Sequence, residues 1–152
     1  MTFTLIARCA KTGQIGATTA TKFLSSGAFI ILVRPGVGIS ASQGFLNPLI
    51  RHQILHDLES GMDATASLWA RIGNDPFAIL RQVVVLSNDG SHASHSGEGC
   101  YDTSVVSSGS GYLAAGNSLA SRAVIEDMCR AFETSTGPLS TRLMTALPPV
   151  AG

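Results

Sequence analysis

Strand-like and helix-like stretches come in separate runs in this 152-residue chain, and that ordering restricts the fold more than any single motif. Residues 2–8 alternate, with Phe3, Leu5 and Ala7 on one side and Thr2, Thr4 and Arg8 on the other, which is the period of a strand. Lys11-Thr12-Gly13 reads as a turn. Residues 14–21, rich in Thr and Ala, return from it as the second arm of a hairpin. Phe29-Ile30-Ile31-Leu32-Val33 reads as a short apolar strand that Arg34-Pro35-Gly36 breaks, and residues 37–43 as a fourth strand.

Two helices follow. Asn47-Pro48 is an N-cap followed by a first-turn proline. Ile50, Ile54, Leu55 and Leu58 then share a face, and Gly61 ends the helix. Asp63 caps a second helix with Leu68, Trp69 and Ile72 on its inner face, stopped by Gly73-Asn74-Asp75-Pro76. Gln82-Val83-Val84-Val85-Leu86 is a buried strand. Asn88-Asp89-Gly90 is a hairpin turn, and residues 91–96 are the return strand. Residues 97–117 carry five glycines and read as loop, with a short strand at 111–114. Another helix places Val124, Ile125, Met128 and Phe132 on one face. A last one, from Gly137-Pro138, bears Leu139, Leu143, Met144 and Leu147 and ends at Pro148-Pro149.

Four strands, two helices, two or three strands, two helices: such runs argue for an antiparallel α+β architecture rather than βαβ alternation. A helix pair after each strand run is placed to cover the two outer faces of a two-sheet core. The absence of repeats and linkers predicts a single domain over residues 1–152.

Charged residues make up only 13% of the chain and the formal net charge is zero, well below the roughly 25% charged content of soluble domains. Mean hydropathy is +0.28. So neutral a surface predicts a homo-oligomer that covers part of it. Basic residues are scattered singly, which argues against a nucleic-acid partner. Cys9, Cys100 and Cys129 are odd in number and widely spaced, neither a disulfide framework nor a metal motif. They fit a reducing cytoplasm, and there is no signal-peptide pattern. The longest apolar run, Ala28 to Val33, is too short to span a bilayer, so no membrane partner is expected. No cofactor or metal is expected either.

Chemistry has few places to reside. If Met1 is removed, Thr2 carries a hydroxyl nucleophile and an amine base on one residue; an α-amine ordinarily titrates at about 7.7–8.0. Lys22 follows Thr21 near the end of the second strand, opposite the start of the first; it either tunes Thr2 or is a solvated strand-end lysine. Gln43 and Asn47 flank a strand-to-helix junction, where amides and free helix N–H groups can hold an oxyanion, although capping alone explains Asn47. Cys100 follows Gly97-Glu98-Gly99, but His92 and His95, three apart on a strand, face opposite sides, which leaves Glu98 the better polar candidate there. His52 and His56 have helical metal spacing without a third ligand. There is no GxGxxG and no Gly-Lys-Ser/Thr phosphate loop.

The ordered set of short motifs resembles the domain of unknown function 1028 family. The matching stretches are Met1-Thr2-Phe3-Thr4-Leu5-Ile6-Ala7-Arg8, Thr12-Gly13-Gln14-Ile15-Gly16, Thr21-Lys22-Phe23, Gly36-Val37-Gly38, Gln43 and Asn47-Pro48. They continue with Arg81-Gln82-Val83, Ser96-Gly97-Glu98-Gly99-Cys100, Gly111-Tyr112, Ala115-Gly116-Asn117 and Ala131-Phe132-Glu133. The resemblance implies an N-terminal-nucleophile (Ntn) hydrolase-like αββα sandwich, two mainly antiparallel sheets flanked by helices. It implies an amidohydrolase acting on a small-molecule substrate through an amide or related C–N bond, the alternative being a non-catalytic binding or structural protein on the same fold. It carries over Thr2, Lys22, Gln43, Asn47, Glu98 and Asn117 as catalytic candidates. Cys9 stands where the family usually has Asp after Arg. The chain stops at Gly152 where members continue with more strands, so a C-terminally truncated sandwich is the expectation.

Overall fold

A computed structural model describes residues 1–147; the expected stop at Pro148-Pro149 lies outside them. Eight strands form two antiparallel sheets. In the first, β1 (Thr2–Arg8) lies between β2 (Ile15–Thr21) and β8 (Tyr112–Asn117), and β7 (Val105–Gly109) forms the far edge beside β8. The second runs β3 (Ile31–Arg34), β4 (Gly38–Gly44), β5 (Arg81–Ser87), β6 (His92–Ser96) in sequence order.

The helices follow from their caps and apolar faces. In α2 (Pro48–Glu59), Asn47 Oδ1 accepts the Leu49 N–H at 3.1 Å, and Ile50, Ile54 and Leu55 are buried. In α3 (Ala64–Ile72), Asp63 accepts the N–H groups of Thr65 and Ala66. These two helices pack on the outer face of the second sheet, over Val83 and Val85. Helices α4 (Ala123–Thr134) and α5 (Leu139–Thr145) pack Ile125, Met128, Phe132, Leu139 and Leu143 on the outer face of the first sheet, over Phe3, Leu5 and Ala7. A third apolar layer, with Ile6, Ile39, Leu86 and Leu113, lies between the sheets. Helices and sheets therefore stack in four layers.

Several expectations are corrected. Phe29 and Ile30 belong to a one-turn helix, α1 (Gly27–Ile30), and the strand starts only at Ile31. The glycine-rich stretch contains two strands, β7 and β8, and β8 is buried throughout. Trp69 does not face inward: it is half-exposed and meets the His95 ring edge-on at 5.7 Å. One residue along a helix is a rotation of about 100°, and Leu68 takes the buried position.

One pattern positions everything that follows. Side chains alternate along a strand, so Thr2, Thr4 and Ile6 share the inter-sheet face of β1. In the ladder to β8 they oppose Asn117, Ala115 and Leu113. On the second sheet Gln43, Ala41 and Ile39 oppose Gln82, Val84 and Leu86. The inter-sheet layer thus grades along the strands from large apolar residues, through Ala and Val, to hydroxyls and carboxamides. All four central strands end their inward face on a polar residue at the same end.

Candidate functional site

A cavity of about 520 Å³ opens at that polar end. Its buried floor comprises Thr2, Gln43 and Asn117, with Ile30 beside them. Phe23, Leu24, Phe29, Leu46 and Tyr101 also line it and are exposed, forming an apolar rim; Leu24 is 95% exposed. Met1, Thr21, Ser26, Gly44 and Ser118 complete the lining. No Asp, Glu, His, Lys, Arg or Cys side chain is among the described residues that line it.

Gln82, which the sequence left as a plain strand residue, organises the floor. It is fully buried. Its Nε2 donates to the backbone oxygens of Gly116 at 3.1 Å and Val105 at 3.3 Å, and to Ser96 Oγ at 3.3 Å. Backbone carbonyls only accept, so the Gln82 amide has one admissible orientation. Its Oε1 then accepts from Gln43 Nε2 at 2.7 Å and from Asn117 Nδ2 at 3.2 Å. With its NH₂ turned to Gln82, Gln43 presents Oε1 to Thr4, whose hydroxyl donates at 2.7 Å. Thr4 spends its one proton there; the single proton of Thr19 Oγ1 goes either to Thr4 Oγ1, 2.8 Å away, or to the Phe3 carbonyl oxygen at 3.1 Å. The network ties β1, β2 and β8 of one sheet to β4 and β5 of the other.

Thr2 sits beside this network. It is buried, it pairs with Thr21 on one side and Asn117 on the other, and its hydroxyl donates to Thr21 Oγ1 at 3.1 Å. Two of the three non-glycine residues with positive φ among the described residues flank the cavity: Ser118 (φ 51°), which lines it, and Ser25 (φ 58°), which joins the lining residues Leu24 and Ser26. Such conformations cost energy and cluster at functional sites.

Two buried arginines fasten the walls. Arg51 lies within α2 and donates to the carbonyl oxygens of Pro48, Ala28 and Ile31, so it grips both ends of the α1 segment that carries Phe29 and Ile30. Burial lowers its guanidinium from the usual arginine value. Arg81 pairs with Asp75, donates to the Phe45 carbonyl and lies 5.3 Å from the Phe45 ring centroid, fixing the turn after β4. Hydrogen bonding from Arg81 holds the Asp75 carboxyl below the usual carboxylate range.

Of the residues singled out from the sequence, Thr2, Gln43 and Asn117 come together. The other three do not join them. Lys22 is exposed just beyond β2 and is not among the lining residues. Asn47 caps α2 and lines a separate hollow with Asp75 and Arg81. Glu98 is exposed in the loop after β6, in a third hollow. Cys100 is buried, and burial raises its thiol pKa, the opposite of what a thiolate nucleophile needs. His95 Nε2 is engaged with the Ala78 carbonyl oxygen at 2.8 Å. His52 and His56 are exposed on α2. Thr4, Thr19, Gln82 and Tyr101 were not anticipated; the signal for Gln82 and Thr4 was the shared parity of polar strand-end residues.

The model of one family, described as a family of unknown function (DUF1028), matches residues 2–150. The chain is also similar to a protein of Silicibacter pomeroyi with a solved crystal structure and the same family domain, at 27% identity and a TM-score of 0.92. That match covers 95% of this chain and 65% of the other, so the chain spans just under two thirds of that protein's length. No curated protein matches the chain.

Proposed function

We propose that this chain, which belongs to the DUF1028 family, acts at the Thr2 cavity as an Ntn-type amidohydrolase on a small amide or related C–N bond. The four layers would then be the αββα sandwich of that superfamily, as a single domain over residues 1–152. The observation that carries the reading is the lining of the cavity. Thr2 lies buried at the start of a central strand, and the described lining holds no carboxylate, imidazole, thiol or lysine. Among the described residues of the lining, the α-amine that removal of Met1 exposes on Thr2 would serve as the general base that such a reaction needs at neutral pH.

In this mechanism the substrate carbonyl enters over Thr2. The α-amine takes the hydroxyl proton as Oγ1 bonds to the carbonyl carbon, and the oxygen becomes an oxyanion. The carboxamide N–H groups of Gln43 and Asn117, both in the cavity lining, would stabilise it. The C–N bond breaks, the ammonium returns its proton to the leaving amine, and an ester to Thr2 remains. Water, deprotonated by the same amine, attacks that ester and releases the acid. We also infer a homo-oligomeric, cytoplasmic protein. Low charge supports the first, and three cysteines without a disulfide support the second.

The intact mass of protein from its native host tests the assignment. The expected result is a mass lower by one methionine, with Thr2→Ala abolishing turnover of an amide that the wild type cleaves. Quantitative retention of Met1 refutes the nucleophile and leaves the cavity as a binding site on the same fold.

A further inference from the structure

We infer that the Thr2 cavity selects amides that carry an aromatic or branched apolar group and no positive charge, and that Gln82 is the positioning residue that sets the polarity of its floor. This rests on the proposed function for the site it describes and deepens it to a substrate class; it does not require Met1 to be removed.

The floor is the first half of the argument. Gln82 Oε1 takes one N–H from Gln43 and one from Asn117. Each carboxamide has two N–H groups, so each retains one that no described residue accepts. Gln43 Oε1 is occupied by Thr4, whereas Asn117 Oδ1 has no described donor. The two residues that line the cavity therefore offer two donors and one acceptor. An amide group, with its carbonyl oxygen and N–H, is the complement of that set. The orientation is not free to change: reversing Gln82 would turn its oxygen on the Val105 and Gly116 carbonyls and leave the NH₂ groups of Gln43 and Asn117 facing another NH₂.

The walls are the second half. No lining side chain among the described residues carries a charge, and the α-amine at the start of the chain is itself cationic, so an ammonium on the ligand would leave water without a counter-ion, at a cost that a neutral amide does not incur. The rim is aromatic and aliphatic, with Phe23 75% exposed and Leu24 95% exposed. A volume of about 520 Å³ lies within the usual range of small-molecule sites. An apolar group on the rim and an amide on the floor fill the two chemical halves together.

The test compares N-(2-phenylethyl)acetamide with the cation 2-phenylethylammonium by ligand-observed NMR titration of the full chain. We expect the neutral amide to bind about tenfold more tightly or better, since only the cation brings an unpaired charge. Adding the amide should also shift the side-chain NH₂ resonances of Gln43 and Asn117. In Gln82→Met those resonances should move even without ligand, and the preference for the amide should shrink. Because Gln82 is buried, the exposed double variant Phe23→Ser/Leu24→Ser is the second arm: it should fold normally and weaken amide binding severalfold. Equal or tighter binding of the cation, no binding of the amide at millimolar concentration, or unchanged affinity in the rim variant each overturns the inference. A protein that retains Met1 yet shows the preference refutes the nucleophile alone, so the two readings fail separately.

Discussion

The Thr4–Gln43 hydrogen bond offers a direct measure of the buried network, through Thr4→Val, Gln43→Leu and their combination. Both residues are essentially inaccessible, and the bond is 2.7 Å long. Valine keeps the shape of threonine, so no cavity is made. It removes the only described donor to Gln43 Oε1, and a buried acceptor left without a partner costs about 1–3 kcal/mol. Burying a methyl in place of a hydroxyl returns part of that, under about 0.8 kcal/mol. The net expectation is a loss of about 1–2 kcal/mol. For a chain of 152 residues that is roughly 2–8 °C in Tm. Gln43→Leu strands less: the Thr4 hydroxyl can turn to Thr19 at 2.8 Å, and Gln82 Oε1 keeps Asn117. In the double variant the orphaned acceptor no longer exists, so its cost should fall short of the sum of the singles by about 1 kcal/mol, within the range that touching residues show. Urea unfolding, read at the midpoint with an unchanged slope, measures all four corners. Additivity to within about 0.5 kcal/mol, or a Thr4→Val protein as stable as the wild type, would show that Gln43 is not held by Thr4 and that the floor has no fixed polarity.

Gly44 and Gly36 have nearly the same backbone, φ +78° and +77°, but an added Cβ at Gly44 would lie 2.8 Å from both Cys100 Sγ and the Leu80 carbonyl oxygen, whereas at Gly36 it meets nothing within 4 Å. Gly36→Ala should cost about 1–2 kcal/mol of conformational strain, and Gly44→Ala more by at least about 1 kcal/mol; equal thermal shifts would refute the crowding. Asp57, buried and hydrogen-bonded by Arg71, and Asp75, bonded by Arg81, both have carboxyl pKa values lowered in the folded state. A lowered folded pKa means stability that is complete above the unfolded value of about 3.9 and lost as pH falls through the folded one. Chemical denaturation should therefore weaken below about pH 4, and Asp57→Asn with Asp75→Asn should flatten that acid limb.

The parts of this fold legible in the sequence are those where local chemistry and tertiary packing agree. Asn47-Pro48, Asp63 and Asn88-Asp89-Gly90 act locally, through caps and a turn, and each is found where its chemistry places it. Residues 105–117 were hidden because two of their glycines serve packing rather than turning. A Cβ at Gly116 would lie 2.8 Å from Leu119 Cδ2, and one at Gly109 would lie 2.4 Å from the Tyr112 ring. Glycine in a buried strand reads as loop until the neighbour that excludes its side chain is known. The candidate site was hidden for a related reason. Thr2, Gln43, Gln82 and Asn117 are spread over more than a hundred residues, and each is an unremarked polar residue at the end of an otherwise apolar alternation. Only the pairings Thr2–Asn117 and Gln43–Gln82, with the two sheets face to face, make them one cluster. Period-two parity was available for every strand. On that parity Gln82 is the inward polar end of its strand, as Gln43 is of the strand beside it. Its pairing is not in the parity, since it depends on the Val105 and Gly116 carbonyls that fix its amide.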